Sequence, residues 1–247
     1  MFPRNKNEYF SLPGNAAASQ VDSLTLSKTF LTNVFGWMFL GLLATAGTAW
    51  IFADSASLMS LLVGETGVTT LGWVVMFAPF AFVLLMSFGF NRLSSSALVM
   101  LFVVYAILMG MSLSFIFLVY DLGSIASTFA ITSGMFGAMA LLGYTTKTDL
   151  TKFGSILIMG LIGIIIASVV NLLIFRSSTM DYVISLLGVL IFTGLTAYDV
   201  QKLKRLGAAV DSTSEPARKL TIMGALTLYL DFINLFLFLL RFLGNRR

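Results

Sequence analysis

Residues 227–242 read TLYLDFINLFLFLLRF, a run of Leu and Phe interrupted near its middle by one carboxylate, Asp231. An ionised Asp at the centre of a membrane helix costs about 2.5–3.5 kcal/mol even on lenient insertion scales. Its side chain is too short to snorkel to either surface, so Asp231 must face protein or water. Thr227 lies one helical turn before it and Asn234 one turn after, which places three polar groups on one stripe of an apolar helix. Such a stripe reads either as structural glue built on a protonated acid or as a functional site.

Working outward, the rest of the chain is as apolar as this run. Of 247 residues, 58% are hydrophobic and only 11% charged, with 23 Phe, far beyond what a soluble domain uses. Seven stretches reach the length of about 20 residues that crosses a hydrocarbon core: 29–52, 71–90, 97–120, 123–144, 153–175, 182–201 and 220–240. None alternates apolar with polar residues, so helices are the economical way to satisfy their backbones in lipid. The expectation is an all-α integral membrane protein, a seven-helix bundle formed by residues 29–247. The turn Asp121-Leu122-Gly123-Ser124 is short, and a merged segment there would reduce the count to six. Gly134 with Ala138 and Gly160 with Gly163 are small-residue pairs suited to close helix packing.

Residues 1–28 are polar, hold two Pro and lack the apolar core of a signal peptide; they read as a partly disordered cytoplasmic tail. The cations sort by side. With the N-terminus inside, Arg4, Lys6, Lys28, Arg92, Lys147, Lys152, Lys202, Lys204, Arg205, Arg218 and Lys219 fall inside, against Arg176, Arg241, Arg246 and Arg247 outside. That bias predicts N-in and C-out. It also accounts for the net charge of +4 without a nucleic-acid partner.

The chain contains no Cys and no His. Disulfides, thiolate chemistry and thiolate metal sites are therefore excluded, as are the commonest metal ligand and the commonest switch between pH 5 and 8. Proton sensing, if present, must use carboxylates. Asp199, in GLTAYDVQKLKRL, is the second acid in an apolar stretch, with Thr196 one turn before it, Tyr198 beside it and Lys202 at i+3. An ordinary helix-end pair with Lys202 is one reading. The other follows because consecutive helices are commonly neighbours: if Asp199 meets Asp231, the two cannot both ionise cheaply and would share a proton. Arg92, at the end of the second span, is the natural countercharge, or else an interfacial anchor. Asp149, in TTKTDLTKFG, reads as the cap of the fifth span.

Several classes fail on single residues. A retinal protein needs a lysine in its last span and there is none; rhomboid and zinc proteases need His. An intramembrane aspartyl protease would match Tyr198-Asp199 and Asp231, but its Gly-x-Gly before the second Asp is replaced by Leu228-Tyr229-Leu230, and its Pro-Ala-Leu is missing.

LLGYTTKTDLTKFG at 141–154, FTGLTAYDVQKLK at 192–204 and ALTLYLDFINLFLFLLRFLG at 225–244 resemble the Bax inhibitor (TMBIM) family, in a bacterial-type member. The resemblance implies a bundle with its last helix central and a pH-sensitive calcium leak controlled by an aspartate pair, carried over here to Asp199 and Asp231. It assigns the span-two arginine to Arg92 by location. A glutamate that some relatives carry in that span has no counterpart in 71–90. The 202–219 connection is long for such a member.

The expected function is thus a non-enzymatic, pH-sensitive channel or leak for Ca2+ in a bacterial inner membrane, gated by protons at Asp199 and Asp231, with Arg92 as partner and Thr196, Tyr198, Thr227 and Asn234 as polar support. No cofactor is expected to be tightly bound. Two acids suit only weak, partly hydrated Ca2+ binding. The alternatives are a membrane interaction protein acting on a protease or cell-death partner, and an ion exchanger.

Overall fold

The computed structural model describes residues 13–211 and 214–246, with side chains from residue 25 onward. Within them α1 spans Pro13–Asp54 and a short α2 spans Ala56–Leu62; a small antiparallel hairpin, Val63–Gly64 with Gly67–Val68, leads into α3, Thr70–Gly89. Next come α4 (Ser95–Leu113), the single turn α5 (Ile116–Val119), α6 (Leu122–Thr145) and α7 (Thr151–Val170), which runs on as a π-helical turn, Asn171–Phe175. The chain finishes with α8 (Ser178–Ala209) and α9 (Glu215–Leu243). Seven of the described segments are long and apolar enough to cross a membrane, with α4 and α5 forming one of them. The turn at Asp121 therefore separates two spans.

Hydroxyl side chains set the helix starts. Thr69, Ser94, Ser177 and Ser214 each sit in extended backbone and accept the N–H three residues on, from Gly72, Ala97, Met180 and Ala217, which satisfies a donor that the helix leaves unpaired. Asp149 contributes at the start of α7 from one position further out than a cap. Leu150 holds the cap position, and Asp149 Oδ1 accepts both the N–H (3.0 Å) and the hydroxyl (2.6 Å) of Thr151. At the other end, Asn171 staples the turn into α8: its Nδ2 donates to the Ser177 carbonyl and to Asp181 Oδ1, and its Oδ1 accepts from Ser177 N.

Two expectations about boundaries need correction. The first membrane helix is part of a longer one that begins at Pro13, and Ser27, placed in the tail, is buried and donates to the Lys204 carbonyl at 2.9 Å; residues 1–12 lie outside the described part. The connection expected over 202–219 is also mostly helix, because α8 continues to Ala209 and α9 begins at Glu215. Lys202, Lys204 and Arg205 keep the helical period past the apolar stretch, so a hydropathy boundary ended both helices too early.

The last helix is the hub. About 67% of the apolar window of α9 is buried inside the protein, against 11% for α7, and α9 packs on α1, α4, α6 and α8. Its Leu226, Leu228, Tyr229 and Leu235 meet Phe30, Val34, Phe102 and Tyr105 in one continuous core. Phe77, Phe80, Phe88, Leu172, Leu173 and Ile174 point outward and exposed, as an apolar shell in contact with lipid requires.

Close packing depends on glycines other than those the pattern suggested. Gly134 and Gly163 face open space, and Gly160 meets only the flexible tip of Ile191. At Gly143 of α6 an added Cβ would run into the backbone of Ala197 in α8, and at Gly110 of α4 into the backbone of Thr45 in α1. Gly143→Ala should therefore destabilise the protein by about 1–3 kcal/mol through overpacking, read as a lower thermal unfolding midpoint in detergent. Gly134→Ala should be neutral or stabilising, since helix propensity alone favours Ala by about 1 kcal/mol. Equal midpoints for both variants would mean that α6 and α8 do not touch backbone to backbone.

Candidate functional site

Asp231 is 4% exposed, at the middle of the most enclosed helix. Asp199 reaches it from α8, the helix that precedes α9 in the chain and packs against it. The two carboxyl groups face one another within hydrogen-bonding reach. No N–H or O–H of another described residue reaches Asp231 Oδ2, which is itself buried. A contact between two carboxyl groups is a hydrogen bond only while one carries the proton; with both ionised it is repulsive.

The polar residues around the pair are satisfied elsewhere. Thr196 donates to the Phe192 carbonyl (2.8 Å), Thr227 to Met223 (3.0 Å) and Asn234 Nδ2 to Leu230 (2.8 Å), each turning back on its own helix. These are ordinary i−4 bonds of hydroxyl and amide side chains in apolar helices, so the proposed stripe shares a face without forming a network. Tyr198 lies flat against α7, where an added Cβ at Gly154 would strike its ring. Lys202 Nζ is 6.0 Å from the centre of that same ring and makes no ion pair with Asp199.

Arg92 does not join the site. It is exposed in the turn between α3 and α4, its backbone N–H bonding the Gly89 carbonyl at 2.9 Å, and the one ion pair among the described residues is Arg205 with Asp149. No group of three or more His, Cys, Asp or Glu that could hold a metal occurs among them either.

Sequence reasoning missed a buried hydroxyl chain two residues before Asp231. Tyr229 OH and Thr45 Oγ1 are 2.7 Å apart, and Thr45 Oγ1 donates to the Ala106 carbonyl at 2.8 Å. Because that donation uses the threonine's only proton, Tyr229 is the donor in their pair. Tyr105 meets Tyr229 edge-on at 5.4 Å, and its own buried hydroxyl has no hydrogen-bond partner among the described residues. The available signal was a phenol in a run of Leu, since a buried Tyr must place its hydroxyl somewhere.

A second polar cluster lies about one turn from Asp199. Gln201, 6% exposed, uses its amide as a backbone surrogate: Oε1 accepts Leu150 N (2.9 Å) and Nε2 donates to the Thr148 carbonyl (2.8 Å). Arg205 Nη2 adds bonds to Gln201 Oε1 (3.0 Å) and Asp149 Oδ1 (2.9 Å). The α6–α7 turn is thereby strapped onto the end of α8 that carries Asp199. The two donors of Thr151, with Arg205 behind them, hold the Asp149 carboxyl down at about 2, from 3.8. A lowered folded-state value contributes stability above the ordinary value and loses it as pH falls through the lowered one. The difference in unfolding midpoint between the parent and Asp149→Asn should thus be small, constant from neutrality to about pH 4, and vanish toward about pH 2. A difference that disappears already near pH 6 would rule out this assignment.

A profile of the family described as inhibitor of apoptosis-promoting Bax1 matches residues 27–247. The inner membrane protein YbhL of Escherichia coli K12 is 50% identical over 221 residues, covering 89% of this chain and 93% of that protein. An uncharacterized protein of Borreliella burgdorferi is 45% identical, covering 91% and 95%, and protein RP147 of Rickettsia prowazekii is 48% identical, covering 89% and 91%.

Proposed function

Since the chain belongs to the Bax inhibitor family and is a multi-pass integral membrane protein, we propose that it is a pH-sensitive Ca2+ leak gated at Asp199 and Asp231. The observation that supports this most directly is the contact of the two carboxyl groups on the central helix and its neighbour. The contact is a two-state element. A shared proton bonds α8 to α9; its loss replaces the bond with repulsion between the same two atoms, and the balance between helix arrangements shifts with it. Carboxylate oxygens suit a hard cation, and two of them without a third acid nearby would leave Ca2+ largely hydrated. That favours passage over storage.

In this reading the positive-inside bias puts the basic helix ends and the N-terminus in the cytoplasm, as suits a bacterial inner membrane, the location that YbhL's name gives for that protein. Arg92 sits on that side as an interfacial cation, and a role in another state of the gate would require it to leave its present turn. With no Cys or His in the chain, hydrolysis would have to rest on the two aspartates, and the Gly-x-Gly that an intramembrane aspartyl protease carries before its second Asp is replaced here by Leu228-Tyr229-Leu230.

Purified protein in liposomes should pass Ca2+ with a flux that depends on external pH, and both Asp199→Asn and Asp231→Asn should flatten that dependence, since an amide cannot titrate. A parent flux independent of pH would overturn the gate. The family description names a protein target, which favours as a second reading a membrane interaction protein acting on a cell-death or protease partner. That reading requires a stable co-purifying partner and no flux in pure liposomes; saturable counter-transport would indicate an exchanger instead.

A further inference from the structure

At the basic end of the bundle, the first membrane-spanning turn of α1, the α6–α7 turn and the last turns of α8 border an open pocket of about 280 Å3 whose lining brings together Lys147, Lys204 and Arg205. Lysines and arginines at this end of a membrane protein ordinarily fan out into solvent. Here all three line one concavity, Lys204 half-buried and Lys147 and Arg205 exposed, and two of them are partly fixed. Lys204 Nζ spends one of its three N–H groups on the Tyr144 carbonyl (2.7 Å) and sits 4.7 Å from the centre of the Tyr144 ring, leaving two donors. Arg205 is engaged by Asp149 through Nη2. Lys147 makes no ion pair among the described residues. Three cations therefore answer to one paired carboxylate. Thr146 adds a hydroxyl, which accepts Thr148 N at 3.2 Å and keeps its own proton for a ligand.

From this convergence we infer that the pocket binds a phosphate-type oxyanion. Ammonium and guanidinium donors around one concavity form short charge-assisted bonds with such a group. The helix ends that carry them lie where a bilayer places its phosphates, and basic pockets between helices at that level take anionic headgroups. The anion could be borne by a lipid or be free in solution; the recognition chemistry is the same. The site is separate from the carboxyl pair, and its test does not depend on ion flux.

Purified full-length protein in detergent is titrated with phosphatidylglycerol, phosphatidylcholine and inorganic phosphate, with binding read by native mass spectrometry and by the shift in unfolding midpoint. Lys147→Gln is the informative variant because that side chain holds no structural bond; it should weaken anion binding about fivefold. Lys152→Gln, a cation at the same end but outside the pocket, should leave binding unchanged. Preference for phosphatidylglycerol over phosphatidylcholine, reduced by Lys147→Gln, supports a lipid source. Protection by inorganic phosphate with the same loss supports a free anion. Equal binding of the two lipids without protection by phosphate, or equal losses from Lys147→Gln and Lys152→Gln, would overturn the proposal.

Discussion

An acid in the middle of a hydrocarbon-lined bundle has few permitted environments, and most of this fold can be read as the means of providing one. Asp231 cannot face lipid, so the helix carrying it must be enclosed, and α9 is surrounded by α1, α4, α6 and α8. Nor can it remain without a hydrogen-bond partner, because a lone polar group in that environment costs several kcal/mol. The partner supplied is another carboxyl group on the adjacent helix. Two acids facing each other form a bond whose existence depends on proton number. In the usual Asp–Lys pair of a helix surface, by contrast, both partners keep their charge across the physiological range.

The other buried polar groups are treated differently. Thr196, Thr227 and Asn234 turn inward on their own helices, and Tyr229 is anchored by Thr45, which is anchored in turn by a carbonyl. These bonds do not change with protons. Outside the interior, at the exposed α6–α7 turn, Asp149 is pulled well down by Thr151 and Arg205 and stays ionised. Among the described buried polar groups, only Asp199 and Asp231 set one carboxyl group against another, and this contrast singles them out better than their expense in an apolar helix does.

Much of this was legible beforehand. Hydropathy located all seven spans to within a few residues at most ends, because a bilayer imposes a length that composition must meet. The aspartates could be recognised because a charge in an apolar run has no local explanation. Three things could not be read. Helix ends beyond the apolar core, as at Ala209 and Glu215, are set by caps and by packing on Ser27 and the α6–α7 turn. Arg92 drew notice by its charge and its place in a span, yet the proximity of two side chains on different helices is a tertiary fact. The glycines that matter, Gly110 and Gly143, carry no local mark distinguishing them from Gly134, since what separates them is the helix on the other side.

Those two glycines also limit the mechanical freedom of the bundle. At Gly110 the backbones of α1 and α4 meet, and at Gly143 those of α6 and α8, with no side-chain torsion between them to absorb sliding. Ala197, against which Gly143 rests, is two residues from Asp199, so that carboxyl group is fixed to the frame formed by α6 and α8. In the proposed gate, relative displacement of the two acids would then come from the central helix turning or shifting against its neighbours, so that the innermost element would be the moving part and the outer helices its bearings.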